Sequence, residues 1–201
     1  MTAAIWDQEL RVALRRPRVA LLSAGVPLLL VLVVALGRAP APHAALVFTV
    51  LFTFFGTFGA AIPWARDGER GWLHRIELAG MALPGVAVQR LAASALIDLV
   101  ELLPSLLAIV LLYKTRPGDA AWLLAAVALG LLIANALGIL VATLAGSLAE
   151  TALLASVVAL LLLHAGGVFR TPEPGGVGDA IQRAVPFHYM HAAIQAAVGY
   201  R

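Results

Sequence analysis

Residues 66–90 read RDGERGWLHRIELAGMALPGVAVQR and form the only long polar interruption between strongly apolar segments. Arg66, Asp67, Glu69, Arg70, Arg75 and Glu77 surround Trp72, Leu73, Ile76, Leu78 and Met81 at spacings of three and four, the pattern of a short amphipathic helix. Such a helix lies against something outside a bilayer. Residues 66–85 are therefore expected to be an arm between two membrane spans.

The composition supports a membrane setting. The 201 residues are 62% hydrophobic and 12% charged, where soluble domains carry about a quarter charged residues, and the mean hydropathy is +0.94. No segment is polar enough for a separate soluble domain, so residues 1–201 are expected to form one membrane domain. The small basic excess suggests no nucleic-acid partner and reads instead as an orientation signal. Cysteine is absent, which removes disulfides and thiol chemistry. No cleavable leader is evident, since the first apolar run follows four arginines and lacks a small-residue cleavage site.

Outward from the arm, residues 19–36, 44–64, 86–113, 120–144 and 151–169 are apolar runs long enough to cross about 30 Å of hydrocarbon at 1.5 Å per residue. The expected fold is an all-α polytopic bundle of about five spans. Residues 1–18 mix Ile5, Trp6, Leu10, Val12 and Leu14 with charges and suit an interfacial helix. Ala126, Gly130, Ala134, Gly138, Ala142 and Gly146 recur every four residues, a ridge that lets helix backbones approach closely. Residues 170–178 form a Pro- and Gly-rich loop. The last stretch is interrupted by Arg183, Pro186, His188 and His191 and is not expected to cross. Arginines concentrate before the first span and in the arm, so both are expected on the cytoplasmic side of the cell membrane and residues 170–201 outside.

Candidate chemistry is sparse. The only lysine, Lys114, follows Tyr113 with no glycine-rich loop, so ATP binding by a phosphate-binding loop is not expected in this chain. Asp98 and Glu101 lie three apart within a span, where carboxylates are functional candidates, here for a substrate path. His188 and His191 offer two ligands, too few for a metal site. Ser147 lacks the partners of a nucleophile elbow. No catalytic or metal-ligating residue is assigned.

Around the arm the chain resembles the permease subunits of ABC-2 type exporters, whose corresponding segment is similar to E-R-E-x-G-T-L-E-x-L-L. Glu69, Arg70, Gly71, Leu73, Arg75 and Ile76 fall on that pattern, and Arg90 falls where a Lys opens the third span. Trp72 replaces the Thr, His74 the acidic residue, Gly80 a Pro and Gln89 a Gly. Val185, Pro186 and Tyr189, with Ala193 behind, resemble the family's L-P-x-x-Y, and Glu9, Leu10, Arg11, Arg15 and Pro17 its E-L-R-x-x-x-R-x-P. The resemblance implies six spans in the family pattern, a dimer with a second copy or a paralogue, and a separate ATPase subunit that holds ATP and Mg. It implies that Glu69, Arg70, Trp72, Leu73, Arg75 and Ile76 contact that ATPase. The haem-exporter type permease of cytochrome c maturation, on residues 9–15, is a second resemblance. The alternative from another class is a non-transporting scaffold that anchors a larger membrane complex.

Overall fold

The computed structural model describes residues 17–170, 173 and 175–200. The expected interfacial helix falls almost wholly outside these residues. Among them the chain forms eight α-helices: α1 (Pro17–Leu36), α2 (Ala41–Glu69), α3 (Trp72–Leu78), α4 (Leu83–Leu112), α5 (Pro117–Leu144), α6 (Leu148–Ala165), α7 (Val177–Ala184) and α8 (Pro186–Ala197). Four of them, α2, α4, α5 and α6, are long and apolar enough to cross a membrane, and α1 adds the shorter apolar run Ala20–Leu36.

The helices run past the apolar runs that mark them. Pro sits in the first turn of α2, α4 and α5, where its missing N–H costs no hydrogen bond and its fixed φ suits helix entry. At 29 residues, α2 spans roughly 44 Å. Its final turn, with Arg66, Asp67 and Glu69, therefore projects beyond the hydrocarbon. These three charges belong to the second long helix rather than to the arm helix, which is limited to Trp72–Leu78.

The bundle is built around close contact of α2 with α5. A Cβ at Gly138 would collide with the Thr57 carbonyl oxygen, and one at Gly56 would lie 2.9 Å from Ala134 Cβ. The four-residue ridge is therefore a packing face: Ala126, Gly130, Ala134, Gly138 and Ala142 are all buried. Gly146 lies past the helix end, in the turn before α6.

Residues 186–197 are not an appended tail. Phe187, Met190 and Ile194 share one face of α8 and are buried in the main core with Phe48, Phe52, Leu102, Ile109 and Leu123. Gly130 makes the room, since a Cβ there would meet Met190 Sδ at 2.6 Å. The 12 residues of α8 reach only about 18 Å, too short to cross. Thr115 Oγ1 donates to Ala197 O at 2.8 Å and ties its far end to the α4–α5 turn.

Gly138→Ala should therefore lower stability by about 1–3 kcal/mol, because a methyl against a backbone oxygen must push the two helices apart. Gly118→Ala, where a Cβ meets nothing within 4 Å, should leave it unchanged or slightly raised. Unfolding of the detergent-solubilised chain, titrated with sodium dodecyl sulfate, measures both.

Candidate functional site

The arm begins where α2 stops. Gly71 has φ +67°, a left-handed conformation that glycine adopts without a Cβ clash, and it turns the chain into α3. Arg75 Nη2 donates to Arg70 O at 3.2 Å across this turn. One side of α3 faces the bundle: Trp72, Leu73 and Ile76 pack against Ala60, Ala61, Trp64, Val86 and Ile139. The other side, with His74, Arg75, Glu77 and Leu78, is exposed, as is Arg70 before it. Leu78 is 75% exposed.

Charged side chains lock this end of the bundle. The Arg90 guanidinium, from the second turn of α4, pairs with Asp67 on the last turn of α2 and lies 5.8 Å from the Trp72 ring centroid, within cation–π range. Arg90 is buried, so its pairing with Asp67 is shielded from solvent, where charges attract more strongly than at the surface. Glu69 Oε1 accepts from the Leu148 N–H at 2.6 Å. That N–H opens α6, where a carboxylate also complements the helix dipole. Ser147 Oγ accepts from Glu150 N at 3.2 Å, and Glu150 Oε2 accepts from Gly146 N at 2.8 Å, so the α5–α6 turn is fixed from both sides. A groove of about 430 Å³, lined by Trp64, Gly68, Glu69, Leu73, Leu83 and the 142–147 turn, separates that turn from the arm.

The second candidate pair divides. Asp98 is buried, with its Oδ2 accepting from Asn135 Nδ2 at 2.7 Å. The other Asn135 amide hydrogen goes to Leu131 O at 2.9 Å. Gly59 gives the carboxylate its room, because a Cβ there would collide with it. Glu101 points elsewhere: it is half-buried, with the Ser23 hydroxyl of α1 as its polar neighbour. Three residues along α4 therefore separate a carboxylate wedged between α2 and α5 from one turned to α1.

Of the sequence-derived residues, Glu69, Trp72, Leu73 and Ile76 converge on the arm end of the bundle, whereas Arg70 and Arg75 face outward. Sequence analysis missed the Arg90–Asp67 pair and Asn135. A lone amide in the middle of an apolar helix was the available signal for the latter. It also missed Thr49 and Gln195, which hold His191 Nδ1 at 2.7 Å and His191 Nε2 at 3.1 Å. Among the described residues, no three or more His, Cys, Asp or Glu side chains converge as a metal site would need.

If the Asp98–Asn135 contact acts as a unit, Asp98→Ala and Asn135→Ala will not add. The coupling expected in a double-mutant cycle of unfolding is about 0.5–1.7 kcal/mol, the range of polar contacts between membrane helices. Strict additivity would remove the contact as a determinant.

The family model described as ABC-2 type transporter matches residues 2–198. No curated protein and no solved structure matches the chain.

Proposed function

The chain belongs to the ABC-2 type transporter family, and from that premise we propose that it is the permease subunit of an exporter, driven by a separate ATPase subunit that docks on the arm. As a family member it is a multi-pass transport subunit of the membrane. The reading adds that α1 is a fifth span, that residue 1 and the arm are cytoplasmic, that α8 lies toward the outside, and that two permease chains assemble around the substrate path. ATP and Mg belong to the partner ATPase.

The observation that carries the reading is the two-sidedness of α3. Its inner side is committed to its own bundle through Trp72, Leu73 and Ile76. Its outer side offers Leu78 between charged residues, an exposed apolar anchor within a charged rim. Partner interfaces concentrate binding energy in such an arrangement. Arg70 and Arg75 are then direct ATPase contacts. Trp72, Leu73 and Ile76 are the residues through which force enters the bundle, along Trp72 to Arg90 and Asp67. Glu69 passes the same displacement to α6.

Asp98 serves this reading as an internal joint between α2, α4 and α5. Glu101, beside Ser23 at the α1–α4 contact, is the better candidate for a path between two copies. Nothing in the geometry or the comparisons favours the haem-exporter subtype or a passive scaffold.

Two substitutions separate docking from folding. Leu78→Asp should insert and unfold like the parent, yet bind the ATPase at least tenfold more weakly, because it places a charge in the centre of the contact. Leu73→Asp should lower stability as well, since its side chain packs within the chain. Arg116→Ala, exposed at the opposite end, should do neither. Affinity purification with the co-expressed ATPase, paired with unfolding, reads both effects. Equal ATPase retention by Leu78→Asp and the parent would refute docking on this face.

A further inference from the structure

At the end of the bundle opposite the arm lies a cavity of about 530 Å³ between the start of α2, the turn after α6, and α7 and α8. Polar side chains of its wall, Gln182, His188, His191 and Gln195, are held in fixed orientations, His191 by Thr49 behind the wall. Thr49 Oγ1 donates to Ala45 O at 2.7 Å, so toward His191 Nδ1, 2.7 Å away, it accepts and that nitrogen carries the ring proton. His191 Nε2 is then the acceptor for Gln195 Nε2 at 3.1 Å. Gln182 Nε2 donates to His188 Nδ1 at 2.8 Å, which puts the His188 proton on Nε2, a donor with no partner among the described residues. Gln182 and His191 are each 8% exposed.

The backbone is shaped to seat these groups. Gly167 has φ +75°, and a Cβ there would lie 2.5 Å from the Gln182 side chain. The same cavity is lined by His43, Arg170 and Tyr200 and, among the described residues, by no Asp or Glu. Arg170 has no ion pair among the described residues. On the adjoining helix, Asp179 is already committed. The Gly175 N–H, first, then Arg183 and, more weakly, His188 hold its carboxyl below the usual carboxylate range, and Arg183 pairs with it directly.

A cavity lined by a guanidinium, three imidazoles and the Tyr200 hydroxyl, whose neighbouring carboxylate Asp179 is already paired with Arg183, favours negative charge. We propose that it binds a net-anionic phosphate head group, carried either by a lipid or by a small soluble molecule. Arg170 supplies the charge, and His188 Nε2–H is the positioned donor. Leu46, Val168 and Phe169 give the apolar remainder of the ligand a place to lie. The site is distinct from the arm and stands whether or not the ATPase docks there.

The absence of cysteine makes the test direct. Ala192→Cys, on the cavity wall, is introduced into the full chain in phosphatidylcholine nanodiscs, and its alkylation by neutral iodoacetamide is timed. Leu46→Cys on the facing helix is a second reporter, and Gly118→Cys outside the cavity is the control. Millimolar glycerol 3-phosphate should slow alkylation of the cavity cysteine at least threefold, and Arg170→Gln should abolish the protection. Slowing in phosphatidylglycerol nanodiscs without added phosphate compound would assign the site to a lipid head group. Slowing by glycerol 3-phosphate alone would assign it to a soluble anion. No slowing at either reporter, equal slowing at Gly118→Cys, or protection that survives Arg170→Gln would overturn the proposal.

Discussion

Backbone-to-backbone approach of α2 and α5 is the constraint on which the other features depend. In lipid, apolar side chains gain little by leaving one hydrocarbon environment for another, so helices associate through close packing and a few polar bonds. Gly56 against Ala134 and Gly138 against Thr57 supply the packing. Because α5 presents a small-residue face, Met190 of α8 can seat on Gly130, and because α2 has Gly59 opposite α4, the Asp98 carboxylate fits beside it. A larger residue at Gly138 would press on the α2 backbone and move a helix, whereas at Gly59 and Gly130 it would first press on the Asp98 and Met190 side chains.

The polar bonds are placed where the packing leaves openings. Midway along α4, the Asn135 amide meets Asp98. At the arm end, Asp67, Glu69, Arg90 and Trp72 bind α2, α3, α4 and the start of α6 to one another. Displacement of α3 therefore cannot remain local: its inner face is tied to two long helices, and the end of α2 is tied to a third. Among the described residues the outer face of α3 is exposed, and under the proposed function it is the face on which a partner would act.

Hydropathy made the long helices legible, and the spacing of Ala126, Gly130, Ala134, Gly138 and Ala142 made the packing face legible, because both signals are local and periodic. The apolar runs begin three residues after α2, α4 and α5 do, because Pro42, Pro84 and Pro117 take first-turn positions ahead of the hydropathy signal. The arm helix was drawn too long because the charges that end α2 could not be told from those that begin α3. The burial of α8 and the pairs Asp67–Arg90, Glu69–Leu148 and Thr49–His191 had no local signature. They join segments that sequence distance separates, and only the fold brings them together. Resemblance in residues 66–90 pointed to the family. It did not reveal that Trp72, Leu73 and Ile76 face the chain's own bundle.

The central claim is that the exposed face of this arm receives an ATPase. It is tested most directly by placing a single cysteine at Ala79, the exposed residue that ends α3, attaching a photoactivatable benzophenone, and illuminating membranes that contain the co-expressed ATPase. The account predicts one cross-linked product between the two chains from Ala79→Cys and none from Gly118→Cys at the other end of the bundle. Cross-linking from Gly118→Cys alone, or from neither position in a complex that still co-purifies, would contradict it.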